Sequence, residues 1–194
     1  MGKEKYLREV EALFAKSPVV TYSSIEKIIT HKKKVKRYVK RLVHYLLTSG
    51  RIKRLTKGCY TAMDDAALAV FCFQPAYLGL HDALSFHNLW EQETAPVIIT
   101  AKKVRPGLRS VLGSNALIKR IGRKYLFGIE YHQEGKIAIP YSDVQKTFID
   151  MVYFNEKISK ELLNAFRKRL NYKKLKACLK LYPQRLRKRV MAHL

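Results

Sequence analysis

The chain has 194 residues, 47% hydrophobic and 11% aromatic, which is enough apolar material for packed cores and excludes a chain that is disordered throughout. Its 39 Lys and Arg against 15 Asp and Glu give a formal net charge of +24, so a polyanion is the expected partner. No apolar run approaches the roughly 20 residues of a spanning helix, and the N-terminus lacks the apolar segment of a signal peptide, which predicts a cytoplasmic protein.

The first sixty residues predict three helices followed by a β-hairpin. Apolar residues recur with helical spacing in each predicted helix, and Pro18 ends the helical pattern of the first one. The predicted elements are a helix over residues 3–16, a helix over 25–30 capped by Ser23 or Ser24, a helix over 34–49 ended by Gly50, and a hairpin centred on residues 56–58.

The third predicted helix is amphipathic, and its charge forms one face. Residues 32–60 contain no acidic residue, while Tyr38 and Tyr45 fall with the aliphatic residues on the opposite half of the helical wheel. The cations of this face and of the hairpin are Lys33, Lys36, Arg37, Lys40 and Arg41, then Arg51, Lys53, Arg54 and Lys57. A basic helix followed by a basic hairpin is typical of a winged helix-turn-helix, whose later helix enters the DNA major groove.

The charge density falls after residue 63, which predicts a domain boundary there, with a winged helix-turn-helix domain over 1–63 and an α+β domain over 64–194. A nearly uncharged stretch predicts a short apolar helix before Pro75 and a second helix over residues 80–89. β-Branched and aromatic runs between 96 and 141 predict an antiparallel sheet with a turn at 133–135. The last predicted elements are helices over 144–153, 158–170, 172–181 and 183–190.

The C-terminal helices are basic again. Residues 156–194 hold thirteen Lys and Arg against Glu156 and Glu161. Four of these cations form a compact group near the end: Arg185, Arg187, Lys188 and Arg189. This group is either a second phosphate-contacting patch, a site for an acidic partner, or a solvated helix end that complements the helix dipole.

Apart from one Glu-x-Lys pair, the chain shows no spacing typical of a metal-binding or catalytic motif. Cys59, Cys72 and Cys178 form no CxxC pair, and the six histidines show no HxxxH or HExxH spacing. Glu134 and Lys136 have the spacing of a metal-dependent nuclease, but such a site needs a second carboxylate on a neighbouring strand, and Asp143 and Asp150 lie instead in a predicted helical stretch. The sequence therefore predicts no enzyme, no metal and no cofactor, with the nuclease kept as an alternative.

Two other polyanions remain as alternatives to DNA. An RNA-binding protein fits the same charge, but single-strand RNA readers expose stacking aromatics, and Tyr38 and Tyr45 are predicted to be buried. A membrane surface also attracts basic amphipathic helices, but the apolar face here lacks Trp and Phe and is needed for a core. Double-stranded DNA is therefore the predicted partner, with RNA as the alternative and no membrane binding.

Three segments, in order, resemble the AbiEi-like antitoxin family of type IV toxin–antitoxin systems. "SGRIKRLTKGCYTA" resembles the family's wing, "YLGLHDALSFHNLWEQ" is similar to its signature helix, and "IPYSDVQKTFIDMVYF" is similar to its later P-E-K-A-L-x-D-x-x-Y segment. The resemblance implies a winged domain that binds inverted repeats in its own promoter. It also implies a C-terminal domain that neutralises a nucleotidyltransferase-like toxin, with which the antitoxin need not form a stable complex.

By position, the resemblance assigns DNA reading to the nine cations of the predicted helix and wing. It departs from the family at residues 143–146, which are Asp-Val-Gln-Lys where the family has Pro-Glu-Lys. A stand-alone winged-helix regulator that has kept the architecture without a toxin is therefore an alternative.

Overall fold

The structure, a computed structural model, describes residues 2–29, 35–92 and 95–194. The chain divides into an N-terminal unit, Met1–Cys72 with Ser110–Asn115, and a C-terminal unit, Phe73–Arg109 with Ala116–Leu194. The first division lies nine residues beyond the boundary predicted at residue 63, because the fall in charge marks the end of the basic hairpin and not the end of the unit.

Within its described residues, the N-terminal unit contains three α-helices and a three-stranded antiparallel sheet. Its elements are α1 (Gly2–Lys16), β1 (Val20–Thr21), α2 (Tyr22–Ile28), α3 (Val35–Thr48), β2 (Lys53–Thr56) and β3 (Cys59–Thr61). The strands lie in the order β1-β3-β2, so the hairpin β2–β3 is joined to the helical part through β1. The predicted order of helices and hairpin is confirmed.

The start of α2 differs from the prediction. The side chain of Thr21 accepts a hydrogen bond from the backbone N–H of Ser24 at 3.1 Å, so α2 begins at Tyr22. The predicted cap at Ser23 or Ser24 is therefore wrong, because Thr21 lies at the end of β1 with the extended backbone that a cap requires. Thr30, the predicted end of this helix, lies outside the described residues.

One apolar cluster holds the N-terminal unit together. Each helix contributes to it, with Val10 from α1, Ile25 from α2, and Val39 and Leu46 from α3 all fully buried. Gly50 and Gly58 have positive φ angles of 69° and 79°, and they end α3 and turn the hairpin where a side chain would be strained.

The C-terminal unit is built on a six-stranded sheet. Its elements are β4 (Ala76–Leu78), α4 (His81–Phe86), β5 (Val97–Thr100), β6 (Gly107–Val111), β7 (Ser114–Arg120), β8 (Ile129–Glu134), β9 (Ile137–Ser142), α5 (Val144–Tyr153), α6 (Lys160–Arg169), α7 (Tyr172–Leu179) and α8 (Gln184–Ala192). The tip of the β6–β7 hairpin belongs to the N-terminal unit. A 3₁₀ helix, Ala66–Phe73, precedes β4, and all of it except Phe73 belongs to the N-terminal unit.

The sheet is mixed, so the predicted antiparallel sheet is wrong. Its strand order is β6-β7-β5-β4-β9-β8, and the pairs β4–β9 and β5–β7 are parallel. The prediction missed β4 because its three residues are all buried and show no alternation of apolar and polar side chains. The α+β class is confirmed.

Helix α5 lies at the centre of the C-terminal helices. All residues from Gln145 to Val152 are buried, and Phe148 packs with Phe166 of α6 at a ring-centroid distance of 4.9 Å. The same cluster takes Leu175 from α7 and Val190 from α8. The four predicted C-terminal helices are confirmed, with bounds that differ by a few residues.

Candidate nucleic-acid interface

The exposed face of α3 carries the predicted cations. Lys36, Arg37, Lys40 and Arg41 are all exposed, and His44 and Thr48 continue the same face toward the end of the helix. The opposite face is formed by the buried residues Val39, Leu42, Val43 and Leu46. Because successive residues turn by about 100°, burial of one stripe places the cations together in solvent.

The four α3 cations have no carboxylate within ion-pair distance in the described part of the chain. The helix itself has no acidic residue. Its position is held by the Tyr22 hydroxyl, which donates to the backbone carbonyl of Lys36 at 3.2 Å and so ties α2 to α3. The fifth predicted helix cation, Lys33, lies outside the described residues.

The predicted buried position of Tyr45 is wrong. Tyr45 is 47% exposed, and the guanidinium carbon of Arg51 lies 5.7 Å from its ring centroid. It lies at the border between the apolar and charged halves of the helical wheel, where periodicity alone does not decide burial. Tyr38, the other aromatic of the predicted buried half, is half-buried and packs edge-on against Tyr6 at 5.7 Å.

The hairpin cations fall into two pairs with different environments. Arg51 bonds to Glu11 of α1 at 2.6 Å, and Lys53 bonds to Asp64 at 2.6 Å. Arg51 is thus a clamp between α1 and the end of α3. In contrast, Arg54 and Lys57 are exposed, and neither lies within ion-pair distance of a described carboxylate.

The predicted second patch is also divided. Arg187 donates to the backbone carbonyls of Tyr182 at 2.6 Å and Lys180 at 2.8 Å. Arg189 donates to the carbonyl of Val152 at 2.8 Å and to the side-chain oxygen of Asn155. All four members are exposed, but two of them bind backbone carbonyls of their own chain, whereas Arg185 and Lys188 have no hydrogen bond or ion pair with the described residues.

Sequence reasoning missed a buried ionic network in α5. Lys146 and Asp150 are both fully buried and form an ion pair one helical turn apart. The Tyr77 hydroxyl donates to the other carboxylate oxygen of Asp150 at 2.7 Å, and the Lys146 ammonium lies 5.2 Å from the Tyr77 ring centroid. The spacing of Lys146 and Asp150 in a predicted helix was the available signal, but it did not reveal their burial.

Burial changes the proton affinity of each member of this network. It lowers the pKa of Lys146 and raises the pKa of Asp150, and their mutual attraction opposes both shifts. Burial, reinforced by the charge of Asp150, also raises the pKa of the Tyr77 hydroxyl well above its ordinary value. Because both charges are closed off from solvent, the network fixes the packing of α5 against β4.

The carboxylates considered for the nuclease alternative lie in different elements of the fold. Glu134 is exposed on β8, where its nearest ionisable group is His132 at 3.9 Å. Asp143 caps α5 and bonds to Lys174 at 2.9 Å, and Asp150 is held by Lys146. Among the described residues, no group of three or more His, Cys, Asp or Glu is placed to hold a metal ion.

None of the described helices has the length and apolar character needed to cross a bilayer.

Comparison with known proteins gives a likeness in fold. No family model matches the chain, and no curated protein matches it. Among solved structures, the chain is similar to the RV2827C protein from Mycobacterium tuberculosis, with a TM-score of 0.59 and 13% sequence identity. The match covers 96% of this chain and 75% of that chain. At this identity the likeness concerns the fold alone, and it supports the α+β class.

Proposed function

We propose that the N-terminal unit is a winged helix-turn-helix domain and that the protein is a sequence-specific transcriptional regulator. The observation that carries this proposal is the face of four exposed α3 cations without a described carboxylate partner. Helix α2 precedes α3, and the hairpin β2–β3 follows it as the wing. The strand order β1-β3-β2 also supports the assignment, since it anchors the wing to the helices through β1.

In this proposal α3 enters the major groove and the wing contacts the backbone. Arg37 and Arg41 have the planar fork that bonds both acceptors of a guanine edge, so they are the proposed base readers. Lys36 and Lys40 contact phosphates beside them, and Arg54 and Lys57 do so from the wing. Arg51 and Lys53, although predicted as DNA contacts, are held by Glu11 and Asp64 and have the smaller role.

We further propose that the protein represses its own promoter and acts in the cytoplasm as the antitoxin of a toxin–antitoxin pair. The support is the resemblance of three segments to the AbiEi-like family. Lys146 and Asp150 stand where the third segment of that family has Lys and Asp, and here they form the buried pair of α5. The proposed toxin is a nucleotidyltransferase-like protein that need not bind this chain stably.

The test of DNA reading is binding of the purified protein to a labelled duplex from its own upstream region and to a scrambled duplex, over a range of salt. We expect a preference of about 100-fold or more that survives at physiological salt, a threshold below the roughly 10³- to 10⁷-fold that is typical of specific over non-specific binding. Equal binding to both duplexes, falling steeply with salt, would contradict a sequence-specific regulator.

The toxin is tested separately, by expressing the gene that neighbours this one with and without this chain. We expect growth arrest by the neighbour alone and rescue by co-expression, with rescue retained by a variant that no longer binds DNA. Absence of arrest would favour the stand-alone regulator.

RNA is the second candidate partner. The sequence counted against it because Tyr45 was predicted to be buried, whereas the structure exposes this side chain. An exposed aromatic beside cations is a surface on which an unpaired base can stack. Competition for bound operator by an equal mass of structured RNA decides between the two polymers. If RNA displaces the operator and Tyr45→Ala abolishes that competition, RNA becomes the leading partner.

A further inference from the structure

Helix α7 presents a row of lysines that the proposed function does not use. Lys173 and Lys176 lie on α7, and Lys180 is its C-terminal cap residue. All three are exposed, and their intervals of three and four residues place them on one face of the helix. We call them the lysine stripe. The opposite side of α7 is anchored by Leu175 and Leu179, which are buried in the core.

The lysine stripe has no ion pair with any described carboxylate. Its neighbour Lys174 is different, because it bonds to Asp143 at 2.9 Å, and this bond raises the pKa of Lys174. The structure therefore separates one neutralised lysine from three that remain free to meet an anion.

Four of the five arginines in the C-terminal helices are engaged within the protein. Arg167 donates to the backbone carbonyl of Leu194 at 3.0 Å, and Arg169 donates to that of His87 at 3.2 Å. Arg187 and Arg189 bind backbone carbonyls in the same way. The exposed cations of α6–α8 that make no such bond are mainly lysines. The lysine ammonium is a point charge that suits phosphate but does not match the paired acceptors of a base edge.

We propose that the lysine stripe is a second DNA-binding surface, which contacts the phosphodiester backbone without reading sequence. The stripe extends about 10 Å along the helix, a length over which one strand of B-DNA presents about three phosphates. Tyr172, 42% exposed at the start of α7, adds a hydroxyl donor beside the first lysine. This site lies in the C-terminal unit and goes beyond the proposed function, which assigns DNA contacts to the N-terminal unit alone.

The experiment uses the full chain and a scrambled duplex of about 40 base pairs, so that it does not depend on operator recognition. The test variant is Lys173→Glu, Lys176→Glu and Lys180→Glu together. The matched control is Lys103→Glu, Lys136→Glu and Lys160→Glu, which changes the net charge equally at three other exposed lysines of the C-terminal unit. Binding constants are measured over a salt series, and circular dichroism verifies that each variant is folded.

We expect the test variant to bind at least about tenfold more weakly than the control at low salt. Its slope of log K against log salt should become shallower by about 0.9 for each phosphate that the variant no longer binds, so by about two to three in all. Equal affinity and slope for the two variants would overturn the proposal and leave the stripe for an acidic protein. If the glutamate variant fails to fold, the same comparison with glutamine at all six positions decides.

Failure of this proposal is distinguishable from failure of the proposed function. The ratio of operator to scrambled binding should be unchanged in the test variant, because the stripe contributes equally to both duplexes. If the wild-type protein binds operator and scrambled duplex equally, the proposal of a sequence-specific regulator is contradicted. The comparison of the test and control variants on the scrambled duplex still tests the lysine stripe in that case.

Discussion

The cations of α3 and those of the C-terminal helices are used in different ways. On α3, four of them face solvent and have no described carboxylate within ion-pair distance. In the C-terminal helices, four arginines donate to backbone carbonyls, and Lys146 is fully buried against Asp150. The two regions are similarly basic in sequence, but the first leaves its charge exposed and without a described counter-ion, while the second uses much of it to hold its own fold.

This difference teaches that the density of positive charge is a poor guide to a binding surface. An arginine that bonds to two oxygens of its own protein has its guanidinium held in one orientation and fewer of its five N–H donors available for a phosphate. Arg187 and Arg189, predicted from sequence as part of a patch, are in this state, while Arg185 and Lys188 beside them are not. The contrast between the two regions leads to four expectations about stability and affinity.

The largest expected effect is on the buried pair. Asp150→Ala leaves the ammonium of Lys146 without its counter-charge in an apolar core, and we expect a loss of about 3–5 kcal/mol in the free energy of unfolding. Urea unfolding measures it. The double variant Lys146→Met with Asp150→Leu is the control, since it removes both charges and should recover most of the loss. A single variant as stable as the wild type would show that the pair does not hold α5.

The next effect is on DNA affinity through α3. Arg37→Ala should weaken operator binding by about 1–3 kcal/mol and relax specificity at one base pair, with little change in unfolding free energy because the side chain is exposed. Lys27→Ala, an exposed cation on α2, is the control and should leave the operator preference intact. Equal losses of affinity for the operator and the scrambled duplex would show that Arg37 contacts the DNA backbone and not a base.

A smaller effect separates two neighbours on α8. Arg189→Ala removes the bonds to Val152 and Asn155 at the end of α5, and we expect thermal or urea unfolding to show a loss of about 1–2 kcal/mol. Lys188→Ala, adjacent and exposed, should change stability by less than about 0.5 kcal/mol. If the two substitutions reduce stability equally little, the hydrogen bonds of Arg189 do not stabilise the fold. Arg189 is then as available for an anionic partner as Arg185 and Lys188.

Sequence patterns predicted the parts of this fold that depend on periodicity. The stripe of Val39, Leu42 and Leu46 is spaced at three and four residues, so both the position of α3 and its charged face followed directly. The C-terminal helices followed from the same kind of spacing. Tyr45 was assigned to the wrong side because a residue at the edge of the stripe is buried or exposed according to what packs beside it, and here Arg51 lies over its ring.

Other features depend on contacts between distant residues and could not be predicted. The parallel pairing of β4 with β9 joins residues more than sixty positions apart, and no local pattern encodes it. The burial of Lys146 and Asp150 likewise follows from Tyr77 and Phe127, which come from other parts of the chain. For the candidate interface, the sequence identified the cations but not the carboxylates, Glu11 and Asp64, that hold two of them.

The smallest expected effect concerns the ion pair between Glu11 and Arg51. Glu11→Gln removes the carboxylate that holds Arg51, so the guanidinium becomes free to reach a phosphate, and we expect operator affinity to rise by about two- to fivefold. Glu9→Gln is the control, since it changes the net charge equally at an exposed position on the same helix. The measurement is the salt dependence of binding, and its slope should steepen by about 0.9 for Glu11→Gln alone if Arg51 then binds one phosphate. If the two variants bind alike, the gain is only one of net charge, and Arg51 is a fixed clamp between α1 and α3 with no part in DNA binding.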